Sequence, residues 1–328
     1  MKIVDMHCDT VSALYRMKKE GQGEHLSSNS LSIDLEKLQA GHYCLQNFAV
    51  FVNMEQTADP LKTALDMIEL YEQEIQLCGG AVTPVYRWED ISRNQQAGKI
   101  SSLLTIEEGG ILKGDMANLQ MLYDRGVRMI GLSWNYPNEI GMPNLQRDSQ
   151  GNPLLTLRSD EGLTEFGIEV VLEAQRLGML VDVSHLSDGG FWDVVQHCQV
   201  PFVASHSNAS AVCGVSRNLT DNMIRALAEK GGVMGINFCE DFLCTEDKHQ
   251  EGMLLDAVIR HIRHIINTGG EDCVGMGSDF DGIPGNRDLK TAADMGGLAA
   301  RLEQERFPAR QIEKICGENV LRVYREVL

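Results

Sequence analysis

The sequence predicts an α/β protein, a (β/α)8 TIM barrel with additional C-terminal helices, filling residues 1–328 as a single domain. Three observations carry this expectation. Eight strand-like runs alternate with helical segments, the pattern of a parallel sheet wound by crossover helices. Several runs are apolar without strict alternation, as strands covered on both faces should be. Five of them end in a histidine or a carboxylate, and a closed barrel brings such ends to one face on rigid supports.

The runs are Lys2 to Cys8, Cys44 to Val52, Ser101 to Ile106, Val127 to Ser133, Leu180 to Ser184, Phe202 to Ser205, Gly232 to Phe238 and Cys273 to Ser278. Between the second and third, Asp59-Pro60 supplies a cap and a first-turn proline. Leu61, Ala64, Leu65, Ile68 and Ile75 then keep helical spacing up to Gly79-Gly80. Thr220-Asp221 opens a helix over Asn222 to Lys230 that stops at Gly231-Gly232. Glu165 to Leu177, Leu254 to Asn267, Ala292 to Glu305 and Ala309 to Cys316 follow the same logic, and residues 320–328 form an amphipathic helix end. The stretch from Asn135 to Ser159, rich in Asn, Gly and Pro, is too long for a plain turn and is expected to shape a binding site.

Composition narrows the class. Hydrophobic residues at 43% and charged residues at 23% are those of a globular enzyme with ample core. A net charge of −18 argues against nucleic acid or an anionic membrane surface as partner, since either needs a basic footprint. The 9 cysteines are odd in number and contain no CxxC pair, so they suggest neither a disulfide framework nor a thiolate zinc site. No signal-like run precedes the first strand and no apolar run approaches the ~18 residues that span a bilayer, so a cytoplasmic protein is expected.

The five strand endings are His7-Cys8-Asp9, Glu107-Glu108, His185, His206 and Asp279. Together they suit a hard or borderline divalent cation and a hydrolytic centre. His7 and Asp9 stand at i and i+2 along a strand and point to the same side. Glu107 and Glu108 point to opposite sides, so one of them faces the barrel axis. Glu108 precedes Gly109-Gly110, which lets backbone approach closely, and a carboxylate can bridge two cations where an imidazole cannot. A lone histidine is usually structural, but His185 and His206 hold equivalent positions on neighbouring strands, facing His7. Asp279 ends the eighth strand and is placed to carry a proton from attacking water to a leaving amine. Arg217, after the sixth strand, has forked donors suited to a substrate carboxylate.

In this order the motifs resemble the membrane (renal) dipeptidase family of dinuclear zinc peptidases. The likeness runs through Asp5-Met6-His7-Cys8-Asp9, Glu108-Gly109-Gly110, Gly162-Leu163-Thr164-Glu165-Phe166-Gly167, Val181-Asp182-Val183-Ser184-His185, Ser205-His206-Ser207-Asn208-Ala209, Arg217-Asn218 and Gly277-Ser278-Asp279-Phe280-Asp281-Gly282. It implies two zinc ions per chain, one bound by His7, Asp9 and Glu108, the other by Glu108, His185 and His206, with Glu108 bridging. A mixed His and carboxylate set also accepts manganese or cobalt. The resemblance implies a metal-bridging hydroxide that attacks the peptide bond of a small dipeptide, L-D dipeptides included. Asp279 and Glu108 are then the catalytic carboxylates, and Arg217 holds the free C-terminal carboxylate. A monomer or a homodimer is compatible with the barrel.

Two positions depart from the family's mammalian pattern. Trp134 stands where those members have a histidine implicated in contacting the substrate carbonyl, and Asn237-Phe238-Cys239 replaces a familiar Asn-Phe-Tyr. Trp134 and Asn135 are therefore the expected substrate-binding positions peculiar to this chain. Two other readings are weighed. One is a different metal-dependent amide hydrolase, acting on N-acyl amino acids or a lactam; many of those bridge their metals with a modified lysine, and no lysine ends any run. The other is an inactive barrel kept as a binding module, which loss of a metal ligand would mark, and none is lost.

Overall fold

A computed structural model describes residues 2–244 and 252–328. Its parallel strands are β1 (Ile3–Asp5), β2 (Tyr43–Val50), β3 (Ile100–Ile106), β4 (Val127–Gly131), β5 (Leu180–Asp182), β6 (Val203–Ala204), β7 (Val233–Ile236) and β8 (Val274–Met276). Each pairs with its neighbour in sequence, and β8 closes on β1 through Asp5 and Met276, so the expected (β/α)8 barrel is present. Most strands are shorter than their apolar runs. The ladder of β1 stops at Asp5, and the backbone from His7 to Asp9 is held instead against the turn after β8 by a Cys8–Phe280 bridge. Two pairings lie outside the expected set. Val82–Pro84 flanks the start of β3, and Gln146–Arg147 pairs antiparallel with Pro153–Leu154 inside the long loop after β4.

Inward and outward faces separate cleanly. Leu45, Leu103, Met129, Leu180, Val203 and Val233 form the inner cluster, whereas Phe48, Val50, Leu104, Ile106, Val127 and Ile130 pack outward under the helices. The terminal helix Asn319–Val327 belongs to the inner set, because Val320, Val323 and Tyr324 close the barrel floor and Asn47 Nδ2 donates to the Tyr324 hydroxyl at 2.7 Å. Each fully buried valine there contributes roughly 1.5–3 kcal/mol, so these additional helices are part of the core. The chain reaches that helix through a π turn at Lys314–Glu318, which takes over the end of the expected Ala309 to Cys316 helix.

Capping follows the sequence signals. Asp59 accepts from the Lys62 amide ahead of helix Pro60–Leu77, and Thr220 Oγ1 accepts from the Met223 amide ahead of Asp221–Glu229. No described helix is long and apolar enough to cross a membrane.

Candidate metal centre

Of the predicted ligands, His7, Asp9, His185 and His206 reach the C-terminal mouth of the barrel, where Glu107 and Asp279 join them. His7 and Asp9 follow β1, Glu107 follows β3, His185 and His206 follow β5 and β6, and Asp279 follows β8. His185 and Asp279 hold left-handed backbone, with φ of 68° and 62°. Such strain in residues with a Cβ persists where the surroundings over-determine it, and it gathers at functional sites.

Glu107 stands at the middle of the group. Its Oε1 lies 3.4 Å from Nε2 of His185 and 3.9 Å from Nε2 of His206, while its Oε2 lies 3.5 Å from Nε2 of His7. His7 Nε2 is also 3.3 Å from Asp9 Oδ2 and 3.8 Å from Asp279 Oδ1. Two clusters of ligand-type atoms result, one of His7, Glu107 and His206, the other of His7, Asp9 and Asp279.

Outer hydrogen bonds dictate which ring nitrogens carry protons. Ser205 Oγ donates to Asp182 Oδ2 at 2.5 Å and so accepts from His206 Nδ1 at 2.7 Å. Asn135 Oδ1 accepts from His185 Nδ1 at 2.9 Å. Both Nε2 atoms therefore present lone pairs, and they face each other at 3.0 Å with the Glu107 oxygen beside them. Lone pairs crowded in this way repel unless a cation stands among them, and a ligand histidine with its other nitrogen fixed by an acceptor is the usual arrangement at metals.

Electrostatics agree with that requirement. Burial holds His185 and His206 well below the ordinary imidazole range, with Arg217 and His7 adding to it. Burial alone would also lower His7, but Glu107 and Asp9 outweigh it and hold it well above. Glu107 and Asp279 are pushed up, by burial first and by the Asp9 charge beside them. Asp9 Oδ1 and Glu107 Oε2 are buried without a hydrogen-bond donor. The donor set thus fits divalent cations: His185 and His206 are neutral imidazoles, the carboxylates have unmet acceptor capacity, and the positive charge that Glu107 and Asp9 draw onto His7 is one that a cation would supply.

One expectation is corrected here. Glu108 does not face the barrel axis; Glu107 does. Leu103 points inward and Leu104 and Ile106 outward, so Glu107 continues the inner set and Glu108 the outer one. The Glu108 carboxylate accepts from the Gly110 amide (2.6 Å), the Trp134 amide (2.7 Å) and Asn138 Nδ2 (2.5 Å), which ties the loop after β4 to the end of β3.

Of the remaining predicted residues, Trp134 and Asn135 line a cavity of about 240 Å³ that also meets Asp9, Glu107, His185 and Asp279. Trp134 forms a wall with Phe51, their rings 4.8 Å apart, and Asn135 lines the same side with its Oδ1 engaged by His185. Cys239 and Phe242 stand across from them. Arg217 is not a lining residue. It sits behind His206, donating from Nη1 to Ser207 Oγ at 2.7 Å and from Nη2 to the His206 carbonyl at 2.8 Å, with its buried Nε–H unpartnered.

Sequence reasoning overlooked several supports. Asp5 accepts from the His7 amide and from the Ser278 amide and hydroxyl, and Asp182 accepts from the Ser184 and Ser205 amides, so a buried aspartate anchors each half of the mouth. Asn237 Nδ2 donates to Asp279 Oδ2 at 2.9 Å. At Gly282 a Cβ would come within 2.1 Å of Asp9 Oδ2 and 2.6 Å of Asp279 Oδ1. Asp5, Asp182 and Gly282 lie within the motifs already singled out, where their spacing to the ligands was the available signal.

The family model for membrane dipeptidase (peptidase family M19) matches residues 1–328. The chain belongs to the membrane dipeptidase family. Among family relatives, an uncharacterized dipeptidase of Schizosaccharomyces pombe is 30% identical over 342 aligned residues, covering 99% of this chain and 80% of that protein. A Klebsiella pneumoniae protein, named only as an uncharacterized protein in the pqqA 5′ region, is 34% identical over 269 residues, covering 82% of this chain and 97% of its own. The solved structure of the family M19 metallopeptidase dipeptidase AC superposes with a TM-score of 0.90 at 26% identity, covering 100% of this chain and 98% of that one. A Rhodobacter sphaeroides metallopeptidase, solved with a phosphinate mimic of the dipeptide L-Ala-D-Ala, gives 0.89 at 25%, covering 100% and 99%. The family is one of dipeptidases and both structures are of metallopeptidases, so the chain is a metal-dependent dipeptidase.

Proposed function

We propose that this chain hydrolyses small dipeptides with two divalent cations, one held by His7, Asp9 and Glu107 and the other by Glu107, His185 and His206. The observation that carries the reading is the division of the Glu107 oxygens, Oε2 toward His7 and Oε1 toward His185 and His206. Zinc is the proposed metal, in keeping with imidazole and carboxylate ligands, although manganese or cobalt would suit the same set. When bound, such a pair lowers the pKa of water and polarises a carbonyl.

The chain's own residues do the rest. Asp279, oriented by Asn237 and kept at the rim of the metal pocket by its left-handed backbone, takes the proton of the attacking water and delivers it to the departing amine. Arg217, with an N–H left over from its protein partners, attracts the C-terminal carboxylate of the substrate. Trp134 and Phe51 form an apolar wall that excludes water and limits the length of peptide admitted. The dipeptide mimic bound to the Rhodobacter sphaeroides relative supports dipeptides as the substrate class, L-D forms included. All the cysteines are free and buried, in keeping with a cytoplasmic setting.

The test is metal content per chain and turnover of L-Ala-L-Ala and L-Ala-D-Ala, before and after chelation and after restoring zinc. Turnover is expected to vanish with the metal and return with it. Activity that survives complete metal removal would overturn the reading.

A further inference from the structure

Arg16 lines the same cavity, two turns along helix Thr10–Lys19 from Asp9. Its guanidinium has no hydrogen-bond or ion-pair partner among the described residues. The other charged lining groups are Asp9, Glu107, Asp279 and Asp281. Three of these surround the ligand cluster, where divalent cations would balance them, and Asp281 is engaged by Thr10 Oγ1 and the Ser32 amide, both at 2.7 Å. Those bonds occupy the Asp281 oxygens without removing its charge, so the charged group on the cavity wall with no partner of its own is the arginine.

Its position says which part of a substrate it meets. Arg16 stands on the first helix after β1 and shares the cavity lining with Phe51 at the end of β2, while Arg217 stands after β6. In the closed strand order β2 and β6 are diametrically opposed. A dipeptide whose C-terminal carboxylate is drawn toward Arg217 therefore turns its other residue toward Arg16. We propose that Arg16 selects dipeptides whose amino-terminal residue carries a side-chain carboxylate, a specificity that rests on the dipeptidase reading above. A guanidinium fork matches a carboxylate in geometry as well as charge, and Arg16 stands exposed at the cavity edge where an entering side chain can reach it.

The experiment compares kcat/KM for L-Asp-L-Ala against the near-isosteric L-Asn-L-Ala, and for L-Ala-L-Asp against L-Ala-L-Asn, in the metal-loaded wild type and in R16M and R16K. The Asp-Ala to Asn-Ala ratio is expected to fall about fivefold in R16M, the upper end of what an exposed ion pair contributes. R16K, which keeps charge but not the fork, is expected between the two. Methionine preserves the apolar stem, so an unaltered melting curve accompanies the change. A ratio that stays constant, an equal loss for Asp-Ala and Asn-Ala, or a fall confined to the Ala-Asp pair overturns the proposal. Failure of the wild type on all four dipeptides would instead sink the dipeptidase reading, and this inference with it.

Discussion

Glu107 and Glu108 are neighbours in the chain that serve opposite sides of β3: the Glu107 carboxylate lies 3.4 Å from His185 Nε2 within the barrel mouth, and the Glu108 carboxylate accepts the Trp134 amide at 2.7 Å outside it. The two positions should therefore fail differently. Glu107→Gln is expected to lose bound metal and at least a thousandfold in turnover, because the shared carboxylate is gone. Glu108→Gln is expected to keep two metals per chain but to melt at lower temperature and show a raised KM. Its amide group cannot accept from all three donors, and each buried donor left unpaired costs about 1–3 kcal/mol. Metal analysis and melting curves on both variants decide the matter; a metal-free Glu108→Gln would return that residue to the ligand set.

Asp182 acts on the centre through Ser205. It accepts the Ser205 hydroxyl, which accepts from His206 Nδ1 and so fixes the lone pair of Nε2 on the metal side. Removal of such an outer partner typically weakens metal affinity or activity 10–100-fold. Asp182→Asn is expected to show a loss of about that size in competition with a zinc chelator of known affinity, and unchanged affinity would mean that His206 is oriented by its backbone alone.

Asp279 is not among the proposed ligands because its Oδ2 is engaged by Asn237, although its Oδ1, 3.8 Å from His7 Nε2, belongs to the second cluster of ligand-type atoms. Asp279→Asn should retain metal and lose roughly 10²–10⁴-fold in kcat, the usual contribution of a positioned proton carrier. Loss of metal from this variant would make it a ligand instead.

The strands were legible because parallel strands buried on both faces show as apolar runs, and the histidines and aspartates because their residue types at strand ends have few other uses. The same uniform burial hid the choice between Glu107 and Glu108. Leu103 and Leu104 are both apolar although one faces the barrel axis and the other the helices, so no alternation marked the register. The strand at Val82–Pro84 is three residues long and ends in proline, too little pattern to recognise. Asn135 was expected at the substrate, and its hydrogen bond to His185 depends on the path of a long loop that composition does not encode. Arg16 was silent for a related reason: what distinguishes it is the lack of a partner in space.

Gly282 gives the sharpest steric test of the centre. Its φ is not in the left-handed region, so alanine can adopt the backbone, and any cost comes from the added methyl, 2.1 Å from Asp9 Oδ2 and 2.6 Å from Asp279 Oδ1. Contacts that short cannot persist, and the two carboxylates must turn away from His7. Gly282→Ala is therefore expected to keep the fold while losing occupancy of the site that contains Asp9, together with turnover. Gly296, in helix Met295–Gln304 with open space around its Cα, is the control. Gly296→Ala should leave metal and turnover intact and raise stability by about 0.5–1 kcal/mol, as alanine does inside a helix. Circular dichroism melts and metal content measured side by side separate the outcomes, and a fully metallated, active Gly282→Ala would show that Asp9 and Asp279 do not need the position they hold here.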